Sequence, residues 1–366
     1  MKGIRQLQTA LATWFQAVRR SLPWRDVPTP YRVWVSEVML QQTQVQTVIP
    51  YFERFMEAFP NVGALAGASD DEVMQRWAGL GYYRRARMLH AAAKALTAEG
   101  REELPRTVVE LQALPGIGRY SAGAIASIAY GVPAPVLEGN VARVLARMLA
   151  LELEADGTEG LRVLWAEAAR LVPHDDPSTH NQALMELGAL VCTPTNPKCE
   201  LCPWTVWCAA RAAGAMEAYP KKRPKRAPLA VRAVAGLVTR GAGDSAVLLA
   251  RRPTGGLLGG LWELPGIELG EADEAPEGAP GLALVGAFRA RLGMAVEVGA
   301  QLATVTHQFT HRTLTLELFR AHRLKREVPA LAWYTDWRWV ARERAAEDVP
   351  LSTLAKKVLA ASRGGA

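Results

Sequence analysis

Cysteine is scarce: the 366 residues hold four, and all fall between Cys192 and Cys208. A secreted protein braced by disulfides spreads its cysteines in pairs, so this pattern excludes that class and points to a metal or cluster site in a reducing compartment. Long apolar runs are also missing. No segment approaches the roughly eighteen uninterrupted apolar residues of a membrane helix, so no membrane contact is expected. The opening segment MKGIRQLQTALATWFQAVRR makes a poor secretory leader, because Leu7, Leu11, Trp14, Phe15 and Val18 recur at helical spacing between charged ends. A cytoplasmic monomer is expected. Internal repeats are absent, and the one biased stretch is the Gly/Ala/Glu-rich loop near 269–280. Acidic residues fall short of basic ones, 36 against 43, for a net charge of +7. That excess suits a polyanion partner and equally suits an ordinary basic protein.

The length favours two domains. Residues 1–218 read as helical, with periodic apolar segments near 4–20, 30–42, 44–58, 70–77, 82–98, 121–130, 139–150, 158–171 and 179–191. No strand is evident there. Residues 219–228 (YPKKRPKRAP) combine three prolines with five basic residues. They read as an extended, solvated linker that serves as a plain tether or lies along phosphates. From 229 to 366 the texture is mixed α and β. Val231–Thr239 and Ala246–Ala250 read as strands, and His311–Phe319 places Leu314, Leu316 and Leu318 on one face. Ser352–Ala361 reads as a closing helix capped by Ser352.

The cysteines are spaced C-x6-C-x2-C-x5-C. All-thiolate ligation suits zinc or an iron–sulfur cluster. With a single close pair and long outer arms the spacing favours the larger cluster and leaves zinc open. A second motif is Leu114-Pro-Gly-Ile-Gly118 between two helical patterns, ahead of the small-residue run Ser121–Ala126. Gly116 and Gly118 permit a tight turn whose exposed amides can meet phosphate, the geometry of a helix-hairpin-helix over 111–127. The same pentapeptide also occurs in plain turns.

Two carboxylates stand out. Glu37 has Val33, Trp34 and Leu40 as helical neighbours, which would desolvate it and raise its pKa toward that of a general acid; a surface glutamate is the ordinary alternative. Glu138 sits in a loop just ahead of the helix opening at Gly139-Asn140, where helix amides would orient it or it would simply cap them.

Together these motifs resemble the helix-hairpin-helix DNA glycosylases that carry an iron–sulfur cluster, in their adenine-removing branch. The resemblance runs through LPWR (22–25), PYRVWVSEVMLQQTQVQTVIPYF (30–52), GLGYYRRARMLH (79–90), LPGIGRYSAGAIAS (114–127), VLEGNVARVLARM (136–148), HNQALMELGALVCTP (180–194), ARRPTGGLLGGLWELPG (250–266) and THQFTHRTL (306–314). It implies a helical glycosylase domain over 1–218 with a [4Fe–4S] cluster on Cys192, Cys199, Cys202 and Cys208, followed by an α+β Nudix-like domain over 229–366 that reads 8-oxoguanine. The implied substrate is double-stranded DNA with A:8-oxoG or A:G mispairs. The implied reaction flips the adenine out and hydrolyses its glycosidic bond. Glu37 matches the acid that protonates adenine N7. Glu138 matches the carboxylate that stabilises the oxocarbenium sugar; the family residue there is aspartate, and the extra methylene displaces the carboxylate by roughly a bond length. Trp24, Arg25 and Gln182 match residues around the extruded adenine, and Tyr120 and Asn140 match groups near the sugar and the attacking water. Gln42 and Tyr82 match side chains entering the stack beside 8-oxoguanine, with Thr43 and Leu80 adjoining. Phe309-Thr310-His311 matches the loop that reads the lesion, with threonine where serine is usual.

Two absences narrow the reading. Nudix hydrolases hold magnesium on a glutamate-rich helix; the matching stretch here, Ala287–Gly293, carries arginines, which cannot ligate a hard cation, so this domain should bind rather than hydrolyse. Position 120 is tyrosine, where related lyases such as endonuclease III carry the lysine that forms a Schiff base. A non-catalytic lesion binder is the remaining alternative. The expected outcome of borohydride trapping on a substrate duplex is little covalent adduct; a strong adduct would mean a lyase.

Overall fold

In a computed structural model of the chain the described residues are 2–223, 227–271, 280–324 and 330–362. Residues 224–226 of the expected linker and 272–279 of the Gly/Ala/Glu-rich loop lie outside them. The first half runs α1 (Lys2–Val18), α2 (Pro23–Asp26), α3 (Pro30–Leu40), α4 (Val45–Ala58), α5 (Val62–Gly67), α6 (Asp70–Trp77), α7 (Arg84–Ala98), α8 (Val108–Ala113), α9 (Arg119–Tyr130), α10 (Gly139–Leu149), α11 (Thr158–Leu171), α12 (Pro177–Leu190) and α13 (Ala209–Ala212). The second half runs β1 (Leu229–Leu237), β2 (Thr239–Arg240), β3 (Ala246–Arg251), β4 (Trp262–Glu263), β5 (Gly266–Glu271), α14 (Pro280–Leu292), β6 (Val296–Gln308), β7 (Arg312–Arg323), β8 (Asp336–Ala341), α15 (Ala345–Asp348) and α16 (Thr353–Ala361). The apolar periods found the long helices; the short α2, α5 and α8 offer too few turns to show one.

Chain contacts gather the described residues into two compact units, 2–68 with 87–223, and 69–86 with the residues from 227 onward. By contacts, 69–86, which includes α6, groups with the second unit. Asp71 on α6 pairs with Arg251 at 2.9 Å there.

In the first unit, Leu7, Leu11 and Phe15 of α1 join Val144 and Leu145 of α10, Leu164 of α11, and Leu184 and Leu187 of α12 in one core. The small residues of α9 allow close approach: a Cβ at Gly123 would lie 2.3 Å from the Pro135 carbonyl oxygen. α8 and α9 form the hairpin. Gly116 at its turn has φ +76°, and a Cβ there would lie 2.4 Å from that of Met88. Gly118 differs from expectation. It is the N-cap of α9 with φ −84° and open space around its Cα, so the turn itself needs only Gly116.

Tyr219–Arg223 does not behave as a free tether. Tyr219 is buried and bonds Glu152, Lys221 pairs with Glu152 at 3.3 Å, and Arg223 pairs with Glu154 at 2.6 Å. The acids ahead of α11 consume these basic groups, which weighs against a stretch reserved for phosphates.

The second unit has two sheets. One has the order β5-β1-β7-β6, with β1 and β7 parallel and the other pairs antiparallel; in the other, β3 is flanked by β2 and β4 and also pairs with β8. Leu314, Leu316 and Leu318 point into the core, as their alternation predicts, and Ser352 caps α16 by accepting from the Ala355 amide. α14 packs over β1, β5 and β6.

Gly188 of α12 meets Asn140 of α10 so closely that an added Cβ would lie 2.5 Å from the Asn140 Cβ and 2.9 Å from its carbonyl oxygen. Gly188→Ala should therefore destabilise the first unit by about 1–3 kcal/mol. Chemical denaturation measures this; an unchanged midpoint would contradict the close packing.

Candidate functional site

α3 starts at Pro30, where proline's missing N–H costs nothing, and Thr29 caps it by accepting from the Arg32 amide. Tyr31, Val33, Trp34, Val35, Val38 and Met39 are all buried, so the helix is apolar nearly all round and carries Glu37 inside with it. Glu37 is 5 % exposed. Tyr120 of α9 donates its hydroxyl to Glu37 Oε2 at 2.5 Å. Burial pushes the Glu37 carboxyl up to about 7; the Tyr120 bond and the Arg25 charge pull it down, and Glu138 pushes it further up. The surface-glutamate alternative is thus excluded.

Both sequence readings of Glu138 hold together. It is the N-cap of α10, its Oε2 accepting from the Asn140 amide at 2.8 Å and its Oε1 from the Val141 amide at 2.9 Å. Burial raises its pKa, and these amides oppose the rise. Asn140 is fixed in turn: Arg143 donates through Nη2 to Asn140 Oδ1 and to the Gly188 carbonyl, both at 2.8 Å, and through Nε to the Cys192 carbonyl at 2.7 Å.

A cavity of about 430 Å³ joins Glu37, Glu138, Tyr120, Asn140, Trp24, Arg25, Gln182, Gln42 and Thr43. Arg20 also lines it, and so does Glu186, which the sequence reading missed. Glu186 lies one helical turn beyond Gln182, an i,i+4 spacing that could have flagged it. Burial alone would raise its carboxyl, but hydrogen bonds from Arg20 and Arg25 outweigh this and hold it near 2.

Leu80, Tyr82, Phe309, Thr310 and His311 belong to the second unit. Leu80 is buried, while Tyr82 is 45 % exposed with φ +46°. The Tyr82 and Thr310 hydroxyls lie 2.8 Å apart. Phe309 packs edge-on against His307 at 4.6 Å, and its amide donates to the Arg312 carbonyl, closing the turn that exposes Thr310 and His311. Gln42 has φ +57°. Non-glycine residues held at positive φ are uncommon and mark positions that the surrounding structure constrains.

The four cysteines are half-buried and free of disulfides. Burial pushes the Cys202 thiol up to about 11, and Cys192, Cys208 and Cys199 add to the rise. Mutual repulsion of this kind is what a cationic iron core relieves. Arg147, 2 % exposed, donates to Cys192 Sγ at 3.3 Å and to the Thr193 and Pro194 carbonyls at 2.6 and 2.9 Å, while Cys208 Sγ donates to the Arg147 carbonyl at 3.4 Å. Among the described residues no three His, Cys, Asp or Glu side chains close on a single ion. A cubane spreads its thiolates over separate irons and does not need such convergence. The donor set fits a [4Fe–4S] cluster.

Fold and site define an iron–sulfur helix-hairpin-helix DNA glycosylase joined to a Nudix-type unit. Three family models match: a HhH-GPD superfamily base excision DNA repair protein over 35–166, the iron-sulfur binding domain of endonuclease III over 192–208, and a NUDIX domain over 234–361. The chain is 36% identical to human adenine DNA glycosylase, covering 97% of this chain and 73% of that one, and 37% identical to the mouse protein, covering 95% and 76%. A solved thermostable thymine-DNA glycosylase aligns with a TM-score of 0.53 at 25% identity, over 58% of this chain and 98% of that one. The chain belongs to the adenine DNA glycosylase family. It is an enzyme acting on DNA, and Cys192–Cys208 binds a [4Fe–4S] cluster. No helix among the described residues is long and apolar enough to cross a membrane.

Glu37 holds its proton more tightly folded than unfolded. Between its ordinary value of 4.5 and about 7 the native state binds the extra proton, so stability falls as pH rises through that window. At pH 8 the ionised group costs on the order of 3 kcal/mol. Glu37→Gln keeps an acceptor for Tyr120 and should be the more stable protein at pH 8, the gap closing toward pH 5 in parallel denaturation curves. A gap that does not change with pH would contradict the buried, proton-retaining acid.

Proposed function

We propose that this enzyme excises adenine paired with 8-oxoguanine, and less readily with guanine, as a monofunctional glycosylase. The observation that carries this is Glu37, a buried carboxyl titrating near neutrality, which shares a base-sized cavity with the second carboxylate, Glu138. The adenine leaves the stack at a cost of a few kcal/mol and enters the cavity among Trp24, Arg25 and Gln182. Glu37 gives its proton to N7, the glycosidic bond breaks with its electron pair passing to the base, and the sugar becomes oxocarbenium-like. Glu138, held by two amides, faces that charge with its remaining lone pairs. Water adds at the sugar beside Asn140 and its released proton returns to Glu37, leaving free adenine and an abasic site. Tyr120 orients Glu37 and has no amine to form a Schiff base.

The second unit reads the opposite base. Supporting this, Arg291 at the end of α14 donates to the Gly266 carbonyl at 2.8 Å and lies over Trp333, so that arginine is engaged where a hydrolase would need a carboxylate. The Phe309–His311 turn and Tyr82, linked through Thr310, offer an exposed hydroxyl and aromatic surface to the lesion. Gly116 at the hairpin and Gly118 at the start of α9 leave backbone amides for a phosphate. Gln42, with Thr43 beside it, and Tyr82, with Leu80 beside it, enter the stack. The enzyme works as a monomer on DNA in the reducing compartment that preserves its thiolates.

Single-turnover adenine release from duplexes with A:8-oxoG, A:G and A:T pairs tests the proposal. The parent should release adenine fastest opposite 8-oxoguanine, its rate falling as pH rises through about 7, where Glu37 loses its proton. Glu37→Gln should lose about 100- to 10,000-fold. No release by the parent at any pH, or equal rates on all three duplexes, would overturn it.

A further inference from the structure

We propose that Glu186 is a positioning residue of the base-removal site: it clamps Arg20 and Arg25 to one wall of the cavity and neutralises part of their charge, so that Glu37 can keep its proton. This rests on the function proposed above.

The geometry is a double fork. Arg20 reaches Glu186 Oε1 through Nε at 2.7 Å and Oε2 through Nη2 at 2.8 Å. Arg25 reaches the same oxygens through Nη1 at 3.4 Å and Nη2 at 3.0 Å, and its Nη1 also donates to the Arg20 carbonyl at 3.2 Å. The Glu186 side chain is 2 % exposed, against 30 % for Arg20 and 15 % for Arg25. One buried carboxylate thus takes two bidentate guanidiniums, pairs whose planar fit fixes orientation as well as distance.

Charge explains why the carboxylate matters to chemistry. Glu37 must be protonated to act, and the groups facing it are few. Tyr120 comes from α9, Glu138 from the N-cap of α10 and Arg25 from α2; the Tyr120 hydrogen bond and then the Arg25 charge favour the ionised acid, and Glu138 disfavours it. Arg143 offsets Glu138 from behind. With Glu186 in place, the two arginines and one carboxylate carry a net single positive charge on that wall. Without it the wall carries two, and Arg25 is free to turn toward Glu37. The ordinary alternative is an ion pair that only braces α1 and α2 against α12, and it makes a different prediction.

Glu186→Gln should move the alkaline limb of the single-turnover profile down by roughly one pH unit, the scale of one charge across a partly buried cavity. Glu186→Asp keeps the charge but shortens the reach; it should lose about ten- to a hundredfold in rate with the limb unmoved. Adding Arg25→Gln to Glu186→Gln restores the charge balance, and the limb should return toward the parent position; this double variant carries the test should Glu186→Gln alone fail to fold. The pH dependence of unfolding reads the Glu37 proton without catalysis, and its midpoint should shift in the same direction. Limbs and midpoints that stay put while rates fall would overturn the proposal in favour of bracing alone. A parent that never releases adenine, with unfolding midpoints that still shift, would overturn the proposed function and leave the charge coupling standing.

Discussion

Two carboxyl groups share one cavity, and only one of them can be charged at low cost. The rest of the first unit follows from how that conflict is resolved. Glu37 rides into the interior on α3 because nearly every other face of that helix is apolar. Desolvation alone would leave it neutral over a wide pH range, but the Tyr120 hydroxyl brings it back to near neutrality, where an acid both holds and gives up its proton readily. Burial raises Glu138 as well, but other groups oppose the rise. Its two oxygens are tied to the first amides of α10, so the positive end of that helix supports the ionised form. Burial thus raises both carboxyls, and different partners offset the rise: a phenol at Glu37 and helix amides at Glu138.

The frame that keeps those environments distinct is built from small and buried groups. Gly188 lets α12 approach α10, which seats Asn140. Arg143 then ties Asn140 to the Gly188 carbonyl and to the main chain of Cys192. Arg147, four residues on, grips the Cys192 sulfur and the carbonyls beyond it. The cluster segment therefore meets the carboxylate site through two arginines on successive turns of α10. The cysteine segment and the cavity wall are thus held by the same helix.

Much of this was legible in the sequence where one residue pattern has one physical outcome. The 3.6-residue period located the long helices, period-two alternation located β7, and Ser352 announced the start of α16. The cysteine spacing favoured a cluster, and Val33, Trp34 and Leu40 marked Glu37 as an unusual glutamate. What the sequence hid were partnerships across long separations. Nothing near Glu186 indicates that its partners lie 166 and 161 residues earlier. The basic run after Tyr219 resembled a phosphate tether because its acidic partners, Glu152 and Glu154, precede another helix. Nor could a contiguous reading have set α6 with the second unit.

Glutamate at position 138, where the resemblance leads one to expect aspartate, can be placed by its geometry. An N-cap carboxylate must reach the amides two and three residues ahead, and aspartate, one methylene shorter, is among the preferred caps. Glu138 meets both amides at ordinary distances, so the longer side chain is accommodated by folding back over the helix end. Its backbone at φ −124° and ψ −178° is plain extended chain, with no strain to mark a misfit. The extra methylene is therefore spent within the cap, and the carboxylate remains tied to α10. What differs is the stiffness of the tether: glutamate has one more rotatable bond than aspartate between the backbone and the carboxylate. The two capping bonds restrain that bond, and the Arg143–Asn140 contact holds the residue behind them.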